Sequence, residues 1–243
     1  MKRVFVICFL AFSLACSSQD SDKIVLIGVE EANRFTISTL LEKVCAVGPK
    51  VVGVNLFFFG ETVQFHDAAL MGSIYNCTNI VLASDLVEIP TLKGGGLEII
   101  NSLHIFASDE TTGFANFLDK NLMPQYFSTF EIVDATREYH FSVHVAMMFD
   151  SLKTSDFLLH NDKVLEIDYR QGKRKFTKLT LDEILLKDFN PNVLKDKIVL
   201  VGYLGPSDED KFITPLKANI KSSKPDMYGT EILANIILQI LEE

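Results

Sequence analysis

Two nearly identical apolar segments, far apart in the chain, constrain the fold more than any other feature. Residues 23–28 read K-I-V-L-I-G, and residues 197–202 read K-I-V-L-V-G. A short apolar run rich in β-branched residues and ended by glycine is typical of a strand buried on both faces, as in parallel sheets. We therefore predict that the two segments are neighbouring strands in the middle of one sheet.

The segments that follow the first of these strands alternate between strand and helix patterns. The alternation predicts a βαβαβ unit with right-handed crossovers. Its predicted elements are strands 23–29, 50–58 and 79–83 and helices 36–46 and 68–75. Together with the second K-I-V-L strand, the unit predicts an α/β fold: a three-layer-like domain with a mixed, centrally parallel β-sheet flanked by helices.

The rest of the chain gives weaker signals, apart from its last segment. Residues 229–243 carry a wide apolar face at helical spacing and predict an amphipathic helix that lies on the sheet. The glycines at 94–96 predict a flexible loop, because they lack the pattern of a phosphate-binding loop. The other predicted elements are strands 103–106, 115–118 and 127–133, helices 140–150 and 181–186, and a hairpin over 157–167 that turns at Asn161-Asp162.

The N-terminus has the features of a targeting segment. Lys2 and Arg3 precede an apolar run of about eleven residues, which is too short to span a membrane. Cys16 follows Leu14-Ala15 and precedes a polar stretch, an arrangement that resembles a bacterial lipoprotein signal, in which the cysteine is lipidated. We predict a signal peptide at 1–15, lipidation of Cys16 and a flexible spacer at 16–22. An ordinary secretory signal is the alternative, and either one places the mature protein outside the cytoplasm.

Charge and cysteine content limit the partners and the covalent chemistry. The formal net charge of −9 argues against nucleic-acid binding, although Lys173, Arg174, Lys175 and Lys178 form a short basic cluster. Beyond the N-terminal segment only Cys45 and Cys77 remain, and each closes a predicted helix just before the next strand. If the first three strands lie in the order 3-2-1, both helices share a face and a disulfide is possible. Two buried free thiols are the alternative.

The sequence contains no recognisable catalytic or metal-binding arrangement. His140 and His144 have the i, i+4 spacing of a zinc-binding helix, but no cysteine or carboxylate is placed to complete a site. The G-x-S-x-G pattern of serine hydrolases is absent. We therefore expect a protein that is not an enzyme and that uses no metal or cofactor.

An ordered set of motifs resembles the CHASE type 2 domain, an extracytoplasmic sensory domain of bacterial receptors. The resemblance extends over residues 23–243. The motifs are K-I-V-L-I-G-V-E (23–30), K-V-V-G-V-N (50–55), D-A-A-L (67–70), N-I-V-L-A (79–83), K-D-K-I-V-L-V-G (195–202), D-K-F-I-T-P (210–215) and Y-G-T-E-I-L-A-N (228–235).

The chain departs from the usual family pattern in two respects. Family members commonly continue through membrane helices into a cytoplasmic output domain, whereas this sequence ends after the last helix of the sensor. Asn55 stands where the family commonly has aspartate. The resemblance therefore implies a detached, lipid-tethered sensory module that binds a small molecule or acts through a membrane-bound signalling protein. An extracytoplasmic hydrolase and a structural envelope lipoprotein are the alternatives.

The candidate binding residues lie where the parallel strands end. In open parallel sheets ligands bind outside the carboxyl ends of the strands. The loop from Gly202 to Thr214 is acidic, which favours a cation or cationic group over an anion. Asp210 and Thr214 have a structural alternative, since both can hold the loop through hydrogen bonds to its backbone. The predicted ligand- or partner-binding residues are Glu30, Asn55, Asp85, Gly202, Asp210 and Thr214, together with Ser84.

Overall fold

A computed structural model describes residues 21–91, 94–102, 112–120, 123–169, 176–186, 189–217 and 224–242. Several predictions lie outside these residues: the signal peptide at 1–15, lipidation of Cys16, most of the spacer, the strand at 103–106 and the basic residues 173–175. Within the described residues, Ser21–Lys23 and Pro191–Val193 form short 3-10 helices. The α-helices are α1 (Arg34–Val47), α2 (Gln64–Asn76), α3 (Phe141–Phe149), α4 (Ser151–His160), α5 (Leu181–Leu185) and α6 (Gly229–Glu242).

The strands are numbered along the chain. They are β1 (Ile24–Val29), β2 (Val51–Asn55), β3 (Ile80–Thr91), β4 (Gly94–Ile100), β5 (Thr112–Phe114), β6 (Leu118–Lys120), β7 (Met123–Ser128), β8 (Phe130–Val133), β9 (Thr136–Tyr139), β10 (Val164–Glu166), β11 (Thr177–Thr180), β12 (Ile198–Tyr203), β13 (Lys211–Phe212) and β14 (Met227–Tyr228).

The main sheet has seven strands in the order β11-β1-β12-β2-β3-β4, with β5 paired to β3. The strands β1 and β12 are parallel neighbours in register, so that Ile24 pairs with Ile198 and Gly28 with Gly202. The prediction that the two K-I-V-L segments lie side by side in the sheet is confirmed. Only the β3–β4 pair runs antiparallel in this sheet as described, and the fold is the predicted mixed, centrally parallel α/β fold.

Helices cover both faces of the sheet. One face packs against α1, α2 and α5 through Val25, Ile27 and their neighbours. The other packs against α3, α4 and α6 through Ile24, Leu26 and the corresponding side chains of β12. Because both faces of the central strands are buried, continuous apolar runs rather than alternating ones specify them. None of the described helices combines the length and hydrophobicity needed to cross a bilayer.

Three predictions about the middle of the chain are wrong. Residues 157–160 belong to α4, whose inner face buries Thr154 and Phe157, and the strand after it pairs with β7 rather than forming a hairpin with 157–160. Residues 94–96 are not a loop, because β3 continues to Thr91 and β4 returns beside it. Residues 115–117 carry no strand and lie between β5 and β6.

Candidate functional site

The N-terminus of α6 is attached to the carboxyl ends of two central strands. A Cβ atom at position 202 would overlap Thr230 Oγ1, so glycine at the end of β12 lets the first turn of α6 approach the strand. The same Thr230 oxygen accepts a hydrogen bond from Asn55 Nδ2 at the end of β2, at 3.2 Å. Thr230 therefore connects the first turn of α6 to the ends of β12 and β2.

Asp210 makes a second attachment to the same helix. Its carbonyl oxygen accepts the N–H of Gly229 at 2.9 Å, and its carboxylate lies so close to Gly229 that a Cβ there would be 2.6 Å from Oδ1. Burial raises the pKa of Asp210 to about 6. The positive end of the α6 dipole acts in the opposite direction and favours the ionised carboxylate.

Asn55, Asp85 and Asp210 border one hollow that lies at the carboxyl end of β2 and beside the middle of β3. We call this hollow the strand-end pocket; its volume is about 280 Å³. Its lining is carboxylate, amide and aromatic, and the described lining contains no Lys, Arg or His side chain. The residues that line it are Asn55, Phe57, Ser84, Asp85, Ala115, Asn116, Phe117, Asp119, Asp210, Phe212, Gly229 and Leu233.

Asn116 holds Asp85 in place and was not predicted from the sequence. Its Nδ2 donates to Asp85 Oδ1 at 2.6 Å and to the carbonyl of Leu86 at 3.0 Å, while its Oδ1 accepts the Leu86 N–H at 2.7 Å. Asn116 depends in turn on His140, whose Nε2 lies 3.2 Å from the Asn116 carbonyl oxygen. Nothing in the sequence indicates this role, because residues 115–118 have the pattern of a strand.

The two histidines with zinc-like spacing both contact backbone groups. His140 is fully buried and caps α3, with Nδ1 accepting the Ser142 N–H at 3.2 Å, and burial lowers its pKa to about 3. His144 Nδ1 lies 2.6 Å from the carbonyl oxygen of Thr112. Within the described residues no group of three His, Cys, Asp or Glu side chains is arranged to hold a metal ion.

Two further candidates lie away from the strand-end pocket. Thr214 is fully buried, and its N–H and hydroxyl each donate to the Asp226 carboxylate at 2.8 Å, so it holds the loop to the segment before β14. Glu30 is exposed at the end of β1 and borders a second groove of about 650 Å³. Tyr203 and Ser207 also line that groove and are hydrogen-bonded to each other.

A disulfide joins Cys45, in the last turns of α1, to Cys77, which caps α2. The Cα–Cα distance is 5.8 Å. The arrangement differs from the simple 3-2-1 strand order, since β12 stands between β1 and β2. Both helices nevertheless lie on the same face, because the inserted strand moves β1 sideways without changing the side on which α1 crosses.

A family model for the CHASE2 domain matches residues 30–243, and the chain belongs to this family of extracytoplasmic sensory domains. Comparison with curated proteins and with solved structures gives no significant match.

Proposed function

We propose that this protein is a lipid-anchored extracytoplasmic sensory module that binds a small ligand in the strand-end pocket and passes the signal to a membrane-bound signalling protein. Membership of the CHASE2 family supports the sensory part of the proposal. The observation that carries the ligand-binding part is a shared set of residues: Asn55 and Asp210 border the pocket and also hold the N-terminus of α6. A ligand there contacts the groups on which the position of α6 depends.

The lining of the pocket favours a small cationic ligand. Asp85, Asp119 and Asp210 contribute carboxylates, and the chain carries a net charge of −9. Phe117 and Phe212 form an aromatic wall, with ring centroids 5.5 Å apart. Carboxylates next to aromatic faces attract ammonium groups, whereas an anion would be repelled. We propose binding without catalysis, and an amine as the ligand class.

Thermal unfolding of the purified chain tests this function. The probes are a panel of small primary and quaternary amines, with small carboxylates of matched size as the control panel. Binding to the native state alone raises stability by about 2.7 kcal/mol when the ligand is at 100 times its Kd, so a ligand is detected as a rise in Tm. We expect at least one amine, and no carboxylate, to raise the Tm.

Three variants locate the binding site. Asp210→Asn removes the charge and keeps the size and shape of the side chain, so it should fold stably and lose the amine response. Asn55→Asp adds a charge at the pocket and should strengthen the response. Glu30→Gln removes a charge from the second groove and should leave the response unchanged. If no amine raises the Tm, or if Asp210→Asn retains the full response, the strand-end pocket is not an amine site.

A further inference from the structure

The outward face of α2 is apolar, although the helix already buries its opposite face against the sheet and α1. Leu70, Ser73 and Ile74 are buried, whereas Phe65 and Tyr75 are 65% and 86% exposed. Phe35 of α1 extends this outward surface, since its ring centroid lies 5.3 Å from that of Phe65. We define the α2 patch as Phe35, Phe65, Ala68, Met71, Gly72 and Tyr75.

A buried ion pair fixes the α2 patch in place. Arg34 Nη1 donates to Asp67 Oδ1 at 2.7 Å, and Arg34 Nη2 donates to the carbonyl oxygens of Phe59 and Gly60 at 2.9 and 2.6 Å. The Thr62 N–H donates to Asp67 Oδ2 at 2.9 Å. These bonds tie the first turn of α2 to the first turn of α1 and to the loop between β2 and α2. An apolar surface that is ordered before binding loses little conformational entropy when it is covered.

We propose that the α2 patch is the interface of a twofold-symmetric homodimer. Residues 65, 68, 72 and 75 are spaced by three, four and three, which is the spacing of residues along the seam between two paired helices. The large side chains stand at the ends of this seam, and Ala68 and Gly72 stand at its centre. A twofold axis at the centre brings small residues against small ones, so the helix axes approach closely while the rings cover the ends. The surface thus complements itself, as an isologous interface requires.

The charge distribution favours a second copy over other occupants. The chain as a whole is acidic, and two copies repel each other wherever acidic side chains meet. The only Asp, Glu, Lys or Arg in α2 is Asp67, which is buried against Arg34. The bilayer is a poorer occupant, because helices that bind membrane surfaces carry Lys and Arg on their flanks, and residues 51–92 contain neither.

The area of the patch agrees with a dimer of moderate affinity. Phe35 and Met71 are 42% and 44% exposed, in addition to Phe65 and Tyr75. With roughly 150–250 Å² per aromatic side chain, the patch offers on the order of 500 Å² of apolar surface per copy. A standard interface buries about 800 Å² per partner, of which a little over half is apolar. The patch alone supplies that apolar share.

Sedimentation velocity of the full-length chain from about 1 to 100 µM, which spans the affinities expected of such an interface, tests the proposal. Ala68→Glu places like charges at the centre of the seam, and Gly72→Gln fills the space through which the helices approach. A Cβ at position 72 meets no atom within 4 Å in one copy, and Gln is a better helix former than Gly, so the monomer tolerates this change. Ser155→Glu, at an exposed position of α4 on the opposite face of the sheet, is the matched control.

We expect the unaltered chain and Ser155→Glu to sediment as dimers at the upper concentrations. Ala68→Glu and Gly72→Gln should each raise the dimer Kd at least tenfold, without lowering the Tm of the monomer. A chain that remains monomeric at 100 µM would overturn the proposal and leave the patch to a different protein or to the bilayer. A dimer that persists equally in both variants would also overturn it, because the contact would then lie on another face.

Discussion

Two titratable residues, the buried His140 and the half-buried Asp210, give the stability of this protein opposite responses to pH. His140 has a native pKa of about 3 against an ordinary 6.5, so below pH 6.5 the unfolded chain takes up a proton that the native state does not. Acidification from 6.5 to 3 therefore lowers the free energy of unfolding. Asp210 has a native pKa of about 6 against 3.8, so it gives stability that is fully present below 3.8 and is lost as the pH rises through 6. Each of the two groups changes the free energy of unfolding by at most about 1.4 kcal/mol per pH unit.

Asp210→Asn should therefore expose the acid sensitivity caused by His140. Between about pH 4 and 6 the two residues have opposite slopes that offset each other in the unaltered chain. With Asn at position 210 only the His140 slope remains, and the free energy of unfolding should fall by up to about 1.4 kcal/mol more per unit of acidification. Urea unfolding at pH 4, 5, 6 and 7 measures the difference.

Asp67 does not disturb this comparison. Hydrogen bonds from the Thr62 hydroxyl and N–H, together with Arg34, lower its pKa to about 2, so its contribution is lost only below about 3.8. Glu30→Gln is the matched control, because it removes an exposed carboxylate outside the strand-end pocket. Equal slopes for the unaltered chain and Asp210→Asn would show that Asp210 does not hold a raised pKa in the native state.

Among the helices and strands, those that bury a continuous or periodic apolar surface could be predicted from the sequence. The K-I-V-L strands and α6 are examples, because burial alone specifies their residues. The helix α4 could not be predicted, since Leu152 and Leu159 on its outward face are exposed and obscure the helical pattern. At the site, the rule for parallel strand ends led to Asn55, Asp85 and Asp210, although β3 continues past Asp85 to Thr91. Asn116 does not, because its position depends on the pairing of β5 with β3 and on the buried His140.

The Cys45–Cys77 bridge links two adjacent helices, and its contribution to stability can be measured. The bond closes a chain segment with a sequence separation of 32 residues, for which loop-closure entropy gives about 3–4 kcal/mol of stabilisation. We expect non-reduced peptide mapping of protein from its native compartment to show Cys45 and Cys77 linked. In the Cys45→Ala/Cys77→Ala double variant the free energy of unfolding should fall by that amount, and the urea midpoint should fall with it.

Treatment of the unaltered chain with a reductant serves as a second measurement of the bridge, because it leaves both side chains in place. Reduction and the double substitution should lower the free energy of unfolding by similar amounts. Two free thiols in native protein, or a reductant that leaves the urea midpoint unchanged, would contradict the bridge.

On the scale of the whole molecule, the strand-end pocket and the point where the chain enters the fold lie at opposite ends of the central strands. The strand β1 starts right after Lys23 and runs about 20 Å, at roughly 3.3 Å per residue, toward the carboxyl ends of the strands, where the pocket lies. The helix α6 starts beside the pocket and runs back about 21 Å, at 1.5 Å per residue, toward the amino ends of the strands. An anchor at Cys16, a few residues before β1, would hold the strand-end pocket away from the bilayer and accessible from the extracytoplasmic space.

Substitution of the proposed anchor residue tests this arrangement. In the Cys16→Ala variant the thiol that would carry the lipid is missing. We expect the variant to lose fatty-acid labelling and to move from the membrane fraction to the soluble extracytoplasmic fraction. Cys8→Ala is the control, because it removes a cysteine from within the predicted signal peptide and should leave labelling intact. A Cys16→Ala protein that remains labelled and membrane-bound would show that the chain is anchored elsewhere, and the orientation inferred for the pocket would then lose its basis.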